Sequence, residues 1–129
     1  MPTVSSGIAL DANFINLKEI NISNVRSEVP QLMLPEEVIL QAFQTVRDQV
    51  IFTNKRIFVI NVQGLSGKKI SYFSYPYSKV QYFGIETAGL LDFDSELILT
   101  FSNGAHLQFD FRGNVDIKDI SMLISSYIL

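Results

Sequence analysis

The run Gln49-Val50-Ile51-Phe52-Thr53-Asn54-Lys55-Arg56-Ile57-Phe58-Val59-Ile60-Asn61-Val62-Gln63 decides the fold. Two stretches rich in β-branched and aromatic residues flank a short polar step, the pattern of a β-hairpin. Thr53-Asn54-Lys55-Arg56 is read as its tight turn, because Asn tolerates the positive φ that such turns require. Val50, Phe52, Ile57 and Val59 form one face, and Ile51, Phe58, Ile60 and Val62 form the other. Both faces are apolar, and a small barrel takes only one inside. The other needs cover from the N-terminal leader, a terminal helix or a second subunit, since one compact barrel is not expected to hide both alone.

Working outward, the same period-two pattern recurs. Val38 to Val46 reads as a strand before the hairpin, and Gly64-Leu65-Ser66-Gly67 as a turn after it. Lys69 to Ser74 and Lys79 to Thr87 are further strands, separated by a bend at Pro76. Glu96 to Phe101 and His106 to Arg112 make the last hairpin. Seven short strands at such spacing predict a small barrel or sandwich. In the last hairpin a two-residue Asn103-Gly104 loop would set Leu97, Leu99 and Phe101 beside Gln108 and Asp110. A three-residue loop, with Gly104 in the left-handed position, sets them beside Leu107, Phe109 and Phe111. Each large apolar side chain gains about 1.5–3 kcal/mol on burial, so the second register is expected.

The chain closes with a helix over residues 116–129. Asn114 or Asp116 caps it, and Ile117, Ile120, Ile124 and Ile128 recur at helical spacing. Residues 1–35 are expected to be an irregular leader with short helices, one capped by Asp11 with Phe14 and Leu17 on one face, another capped by Ser23 or Asn24 and ending near Pro30. The main domain is then 36–129.

At 129 residues the chain fits one domain and buries roughly two-thirds of its unfolded surface. There is no cysteine, so disulfides, thiolate metal sites and a cysteine nucleophile are excluded. No signal-peptide pattern and no long apolar run is present, and a cytoplasmic location is expected. The formal net charge of -3 argues against a general binder of nucleic acid or anionic membrane. The charges are segregated along the chain. From Arg47 to Lys79 there are six basic residues against one acidic, and from Glu86 to Asp119 seven acidic against two basic.

Several runs together resemble the bacterial pleckstrin-homology (PH) family. They are Glu37-Val38-Ile39-Leu40-Gln41-Ala42-Phe43, Val46-Arg47-Asp48, Ile51-Phe52-Thr53-Asn54-Lys55-Arg56, Gly64 with Gly67-Lys68-Lys69, Tyr75-Pro76-Tyr77, Glu86-Thr87-Ala88-Gly89 and Asp92-Phe93-Asp94-Ser95-Glu96-Leu97. The resemblance implies a mainly β fold: a PH-like seven-stranded bent antiparallel barrel capped by the C-terminal helix. It also implies a cyclic homo-oligomer, typically a ring of about five subunits. A hydrophilic surface where strands of adjacent subunits meet is the implied protein-binding region, and no catalytic residue comes with the family.

Other chemistries find little support. A phosphoinositide site needs converging cations, and the first strand connection offers only Arg47-Asp48, where the acid cancels the base. Lys68 and Lys69 are the remaining candidates for a lipid headgroup. Asp92, Asp94 and Glu96 alternate as possible ligands, but residue 97 is Leu and the calcium-loop pattern is missing. His106 stands alone, and no serine sits in a nucleophile motif. Tyr72, Phe73, Tyr75, Tyr77, Tyr82 and Phe83 lie among lysines, yet strand alternation sends about half of them inward and no RNA-recognition signature is present. The expectation is a non-enzymatic module with no cofactor and no metal, binding itself and an unidentified protein rather than nucleic acid. Its candidate contact residues are Arg47, Asp48, Asn54, Lys55, Arg56, Lys68, Lys69, Glu86, Thr87, Asp94 and Glu96. Anionic lipid is the alternative partner.

Overall fold

A computed structural model describes residues 11–87, 94–113 and 115–129, with residues 11–13 described by backbone alone. The strands are β1 (Asp11–Ile20), β2 (Ile39–Gln44), β3 (Gln49–Thr53), β4 (Arg56–Gln63), β5 (Lys69–Pro76), β6 (Val80–Thr87), β7 (Ser95–Phe101) and β8 (His106–Phe111). They form one curled sheet in the order β5-β4-β3-β2-β1-β8-β7-β6. Neighbours are antiparallel, apart from the parallel pair β1 and β8. A four-residue helix, α1 (Val29–Leu32), precedes β2, and α2 (Ile117–Ile128) ends the chain, with the Asp116 side chain accepting from the Asp119 N–H as its cap.

The seven strands read from the sequence are present, and β1 is an eighth. The helix expected at Asp11 is instead a strand. Asp11–Phe14 pair with β8, and Lys18–Ile20 pair with β2, so β1 joins the two halves of the sheet. A bulge lies between the Phe14 and Leu17 pairings, with Asn16 left-handed at φ 59. The extra residue returns Phe14 and Leu17 to the same buried side. That is how a strand came to show helical spacing. The second leader helix also differs. Asn21, not Ser23 or Asn24, caps a short 3-10 turn over Ile22–Asn24, and Pro30 opens α1 rather than ending a helix.

Two cores result. The inner one collects Val50, Phe52, Ile57 and Val59 with Leu97, Leu99, Leu107, Phe109 and Phe111. Ile117, Ile120 and Ile124 of α2 close it, and Phe43 packs against Phe111 with ring centroids 4.7 Å apart. Tyr77 holds the far end of α2. Its ring stacks on Tyr127 at 5.2 Å, and its hydroxyl donates to the Thr53 carbonyl at 2.7 Å. The second core lies on the other side of the hairpin. Ala42, Ile51, Phe58 and Ile60 are buried there under Val29, with Val25 and Met33 packed against them.

The apolar second face is therefore covered within the chain, by the leader. Ile51, Phe58 and Ile60 are completely buried or nearly so in one subunit. The need for a second subunit to hide that face does not hold. The leader segment from Asn21 to Val38 acts as a strap across the back of the sheet.

The last hairpin adopts the register that buries its apolar residues. Leu97 faces Phe109 and Leu99 faces Leu107, and the Phe101 N–H donates to the Ala105 carbonyl across a three-residue loop. Gly104 sits at φ +86 in that loop, a conformation that costs other residues. The Asn54-Lys55 turn is also present, but without positive φ at Asn54: among the described non-glycine residues only Asn16 is left-handed. Asn54 serves a different purpose. Its side-chain carbonyl accepts from the Val38 N–H at 2.9 Å and its amide donates to the Glu36 carbonyl, tying the strap to the hairpin.

Candidate functional site

The register sorts the candidate residues into groups at the strand ends. Lys18 pairs with Gln44 at the β2–β3 turn, Leu17 with Phe111 at the end of β8, and Ser95 with both Phe111 and Thr87. The β4–β5 turn lies on the same side, with Gln63 facing Lys69. Arg47, Asp48, Lys68 and Lys69 therefore lie at strand ends that point toward the start of β1, and Glu86, Thr87, Asp94 and Glu96 at strand ends that point toward its end; the two groups approach each other at the middle of β1, around Leu17 and Lys18. Asn54, Lys55 and Arg56 sit at the β3–β4 turn, at the other end of the hairpin from Arg47 and Asp48.

The basic group near Arg47 is partly structural. The Arg47 guanidinium donates to the Gly64 carbonyl at 2.6 Å and lies over the β4–β5 turn. Asp48 accepts from the Val62 N–H at 2.8 Å and from the Asn61 amide, which ties the two turns together. Lys68 and Lys69 are exposed beside them. Val46 and Leu65, at the tips of the two turns, are almost wholly solvent-exposed. Neither was among the candidate contact residues: Val46 was read as the end of a strand, which stops at Gln44 instead, and Leu65 as part of a turn.

Arg56 is engaged within the subunit. Its guanidinium binds the Glu37 carboxylate through two hydrogen bonds, 2.9 Å from Nε and 2.6 Å from Nη2, and also reaches the Leu32 carbonyl and Ser74. It lies 4.2 Å from the centre of the Phe58 ring. The Glu37 side chain is fully buried. Burial alone pushes its carboxyl up, but the hydrogen bonds from Arg56, Thr53 and the Leu34 N–H, with the Arg56 charge, hold it at about 2. The pair locks the strap onto the β3–β4 hairpin. Lys55 is exposed at the turn itself.

The acidic group forms a cleft at the ends of β6, β7 and β8, about 370 Å³ in volume. Glu86, Glu96 and Asp110 are cross-strand partners in one row. The next row, Thr87, Ser95 and Phe111, lines the inner lip. Gln108 shares its amide between Glu96 at 3.0 Å and Asp110 at 2.9 Å. Burial, then the charges of Asp110 and Glu86, push the Glu96 carboxyl above its ordinary value. Arg112 borders the cleft, donating to the Asn16 side chain at 2.7 Å and pairing with Asp94 at 3.6 Å. Asp110 was legible in advance, because the three-residue loop register alone sets it opposite Glu96. Asn16 and Arg112 were not, since the bulge that joins them leaves no sequence period.

Asp92, the third member of the alternating acidic run, lies outside the described residues. Among the described residues no group of histidine, cysteine and carboxylate side chains has the arrangement to hold a metal ion. His106 contacts Thr100 across the last hairpin, with Nδ1 3.1 Å from the hydroxyl.

The model of the bacterial PH domain matches residues 9–128. The chain belongs to the bacterial PH domain family. Its β1 strand falls inside the matched region, so residues expected to precede the domain are part of it. Among curated relatives, the uncharacterized protein YjqA of Bacillus subtilis is 34% identical over 120 residues, covering 91% of this chain and 95% of the relative. The uncharacterized protein YozO of the same organism is 26% identical over 109 residues, covering 84% and 94%. A solved protein with a pleckstrin-homology domain from Shewanella loihica is 35% identical, with a TM-score of 0.75, and covers 89% of this chain and 99% of that one. A pleckstrin homology domain from Shewanella amazonensis is 34% identical, with a TM-score of 0.62, over 87% and 91%. Among the described residues no helix of this bacterial PH domain is long and apolar enough to cross a membrane.

Proposed function

We propose that this bacterial PH domain is a non-enzymatic cytoplasmic module that assembles into a ring of identical subunits, about five by family resemblance, and presents repeated sites to a protein partner. One observation carries the reading: the strand order leaves β5 and β6, each eight residues long, at the two ends of one curled sheet. Each offers a row of backbone donors and acceptors on its outer side. Long edges of this kind template pairing with another chain unless they are blunted. Two different edges on one subunit make a head-to-tail contact, which closes into a ring when the rotation allows. Charge supports the pairing. Lys68 and Lys69 stand at the start of β5, and Glu86 near the end of β6. Tyr82 and Ile85 are exposed on β6, side chains of the kind protein interfaces favour.

Tyr82→Lys tests the edge. A lysine there discourages strand pairing, so the variant is expected to run as a monomer with an unchanged fold. An assembly of undiminished size would exclude β6 from the interface.

A second reading has its own observation. Val46 and Leu65 project from adjacent turns beside Arg47, Lys68 and Lys69, which suits shallow insertion into an anionic membrane. It predicts salt-sensitive binding to phosphatidylserine vesicles, lost in Lys68→Glu with Lys69→Glu. No sedimentation with vesicles at low salt discards it.

A further inference from the structure

The strap is held on the hairpin in the way a protein holds a bound peptide. Of residues 21–38 only Val29 and Glu37 are buried. Val29 is completely buried on Ala42, Ile51, Phe58 and Ile60. The Glu37 carboxylate takes the Arg56 guanidinium through two hydrogen bonds and accepts from the Thr53 hydroxyl at 2.6 Å. One apolar anchor and one acidic anchor, eight positions further on, thus mark the segment.

Other ties are to main chain. The Gln49 side chain accepts from the Arg26 N–H and donates to the Asn24 carbonyl, both at 3.0 Å. The Asn54 side chain accepts from the Val38 N–H at 2.9 Å and donates to the Glu36 carbonyl at 3.3 Å. In both cases one amide spans the carbonyl of one residue and the N–H of the second residue after it. Arg56 adds a bond to the Leu32 carbonyl at 3.0 Å. These contacts depend on the course of the backbone and not on side-chain identity. Main-chain bonds, with pockets for chosen side chains, are the means by which proteins bind extended peptides.

All of these side chains belong to β3, β4 and the turn between them. Among the described residues the strap joins no strand ladder, and none of its residues belongs to the inner core that α2 closes. Lifting it uncovers the back of the hairpin and leaves the inner core shut. A segment with so few buried side chains belongs to the low-stability end of a fold.

We propose that the back of the β3–β4 hairpin is a peptide-binding face that the strap occupies in cis, and that an acidic segment of a protein partner with the same two anchors takes its place. The partner segment sets an aliphatic side chain on Ala42, Ile51, Phe58 and Ile60 and a carboxylate on Arg56, while Gln49 and Asn54 hold its main chain. The strap is then autoinhibitory. As part of the chain it is present at high effective concentration, and the partner binds only those molecules in which it has lifted. The face is distinct from the free outer edges of β5 and β6 that the ring would use.

The probe is a fluorescein-labelled peptide of residues 21–38, followed by anisotropy on the full chain. Val29→Ala with Glu37→Gln loosens the strap in cis and leaves the face beneath it unaltered. The doubly substituted chain is expected to bind the peptide about tenfold more tightly than wild type, or better. Arg56→Met added to it, or Glu37→Gln made in the peptide instead, should weaken that binding about tenfold. A peptide of the same composition in scrambled order should not compete. Undetectable binding to the folded double variant, equal binding of the scrambled peptide, or no response to Arg56→Met would each overturn the proposal. Unlabelled wild-type chain competing as well as the free peptide would give the face to a second copy and overturn the assignment to a partner. If the double variant does not fold, amide exchange on the wild-type protein makes the test. The Arg26 and Val38 N–H groups, held by Gln49 and Asn54, should exchange about tenfold faster than the amides of β7 and β8, or more. Exchange of both sets in one step at one rate would overturn the proposal, since the strap would then open only with the sheet. Neither readout requires the ring, so its failure and the failure of this inference are separate results.

Discussion

Replacing Arg56 by Met removes the cation from a carboxylate that has no access to solvent. In the native protein Glu37 is held at about 2, against an ordinary 4.5. That difference corresponds to roughly 3 kcal/mol of folding stability at neutral pH. Breaking a buried pair from one side leaves a charge without a counterion, at a cost of about 3–5 kcal/mol. The two estimates agree, and each is a large share of the roughly 5–15 kcal/mol that holds a typical domain folded. The loss depends on pH in a defined direction. A carboxyl depressed in the folded state stabilises above its unfolded value and stops doing so as pH falls from about 5 through 2. The difference between wild type and Arg56→Met is therefore greatest at pH 7 and shrinks by pH 3. Urea denaturation at fixed protein concentration measures both points. Glu37→Gln combined with Arg56→Met should recover part of the loss at pH 7, because no unpaired charge remains. A loss under about 1 kcal/mol, or one of equal size at both pH values, would refute the reasoning. Because Arg56 is engaged inside the subunit, its variants report first on the strap.

Two further substitutions test local physics. Gly104→Ala places a side chain at φ +86 and should cost about 1 kcal/mol or more, read as a lower thermal midpoint with the sheet intact. Glu96→Gln should raise the thermal midpoint at pH 7, because burial and the charges of Asp110 and Glu86 disfavour the ionised form. A carboxyl raised in the folded state costs stability above that value, so the advantage of Glu96→Gln fades as acid protonates the native residue.

The sheet from Ile39 to Phe111 was legible because alternation along each strand is a strong local signal, and the last hairpin's register followed from one comparison of buried faces. The helix was legible from four isoleucines at helical spacing. β1 was not, since its bulge breaks the period of two and its partners, β2 and β8, are far away in the chain. The cover over Ile51, Phe58 and Ile60 was narrowed to three choices, and only the tertiary structure selects the leader. Of the candidate site, the acidic cluster was legible as a composition bias, and its cross-strand arrangement was implied by the hairpin register. The use of Arg56 was hidden because nothing local marks Glu37 as its partner across nineteen positions. The burial that makes this ion pair structural is likewise a property of the assembled strap.

The ring reading is tested most directly by the mass of the unmodified protein in dilute solution. Multi-angle light scattering across a hundredfold range of concentration should give a single species near a whole-number multiple of 14.6 kDa, about five. A species of one chain mass at every concentration would contradict it, and leave β5 and β6 as edges that this protein keeps apart.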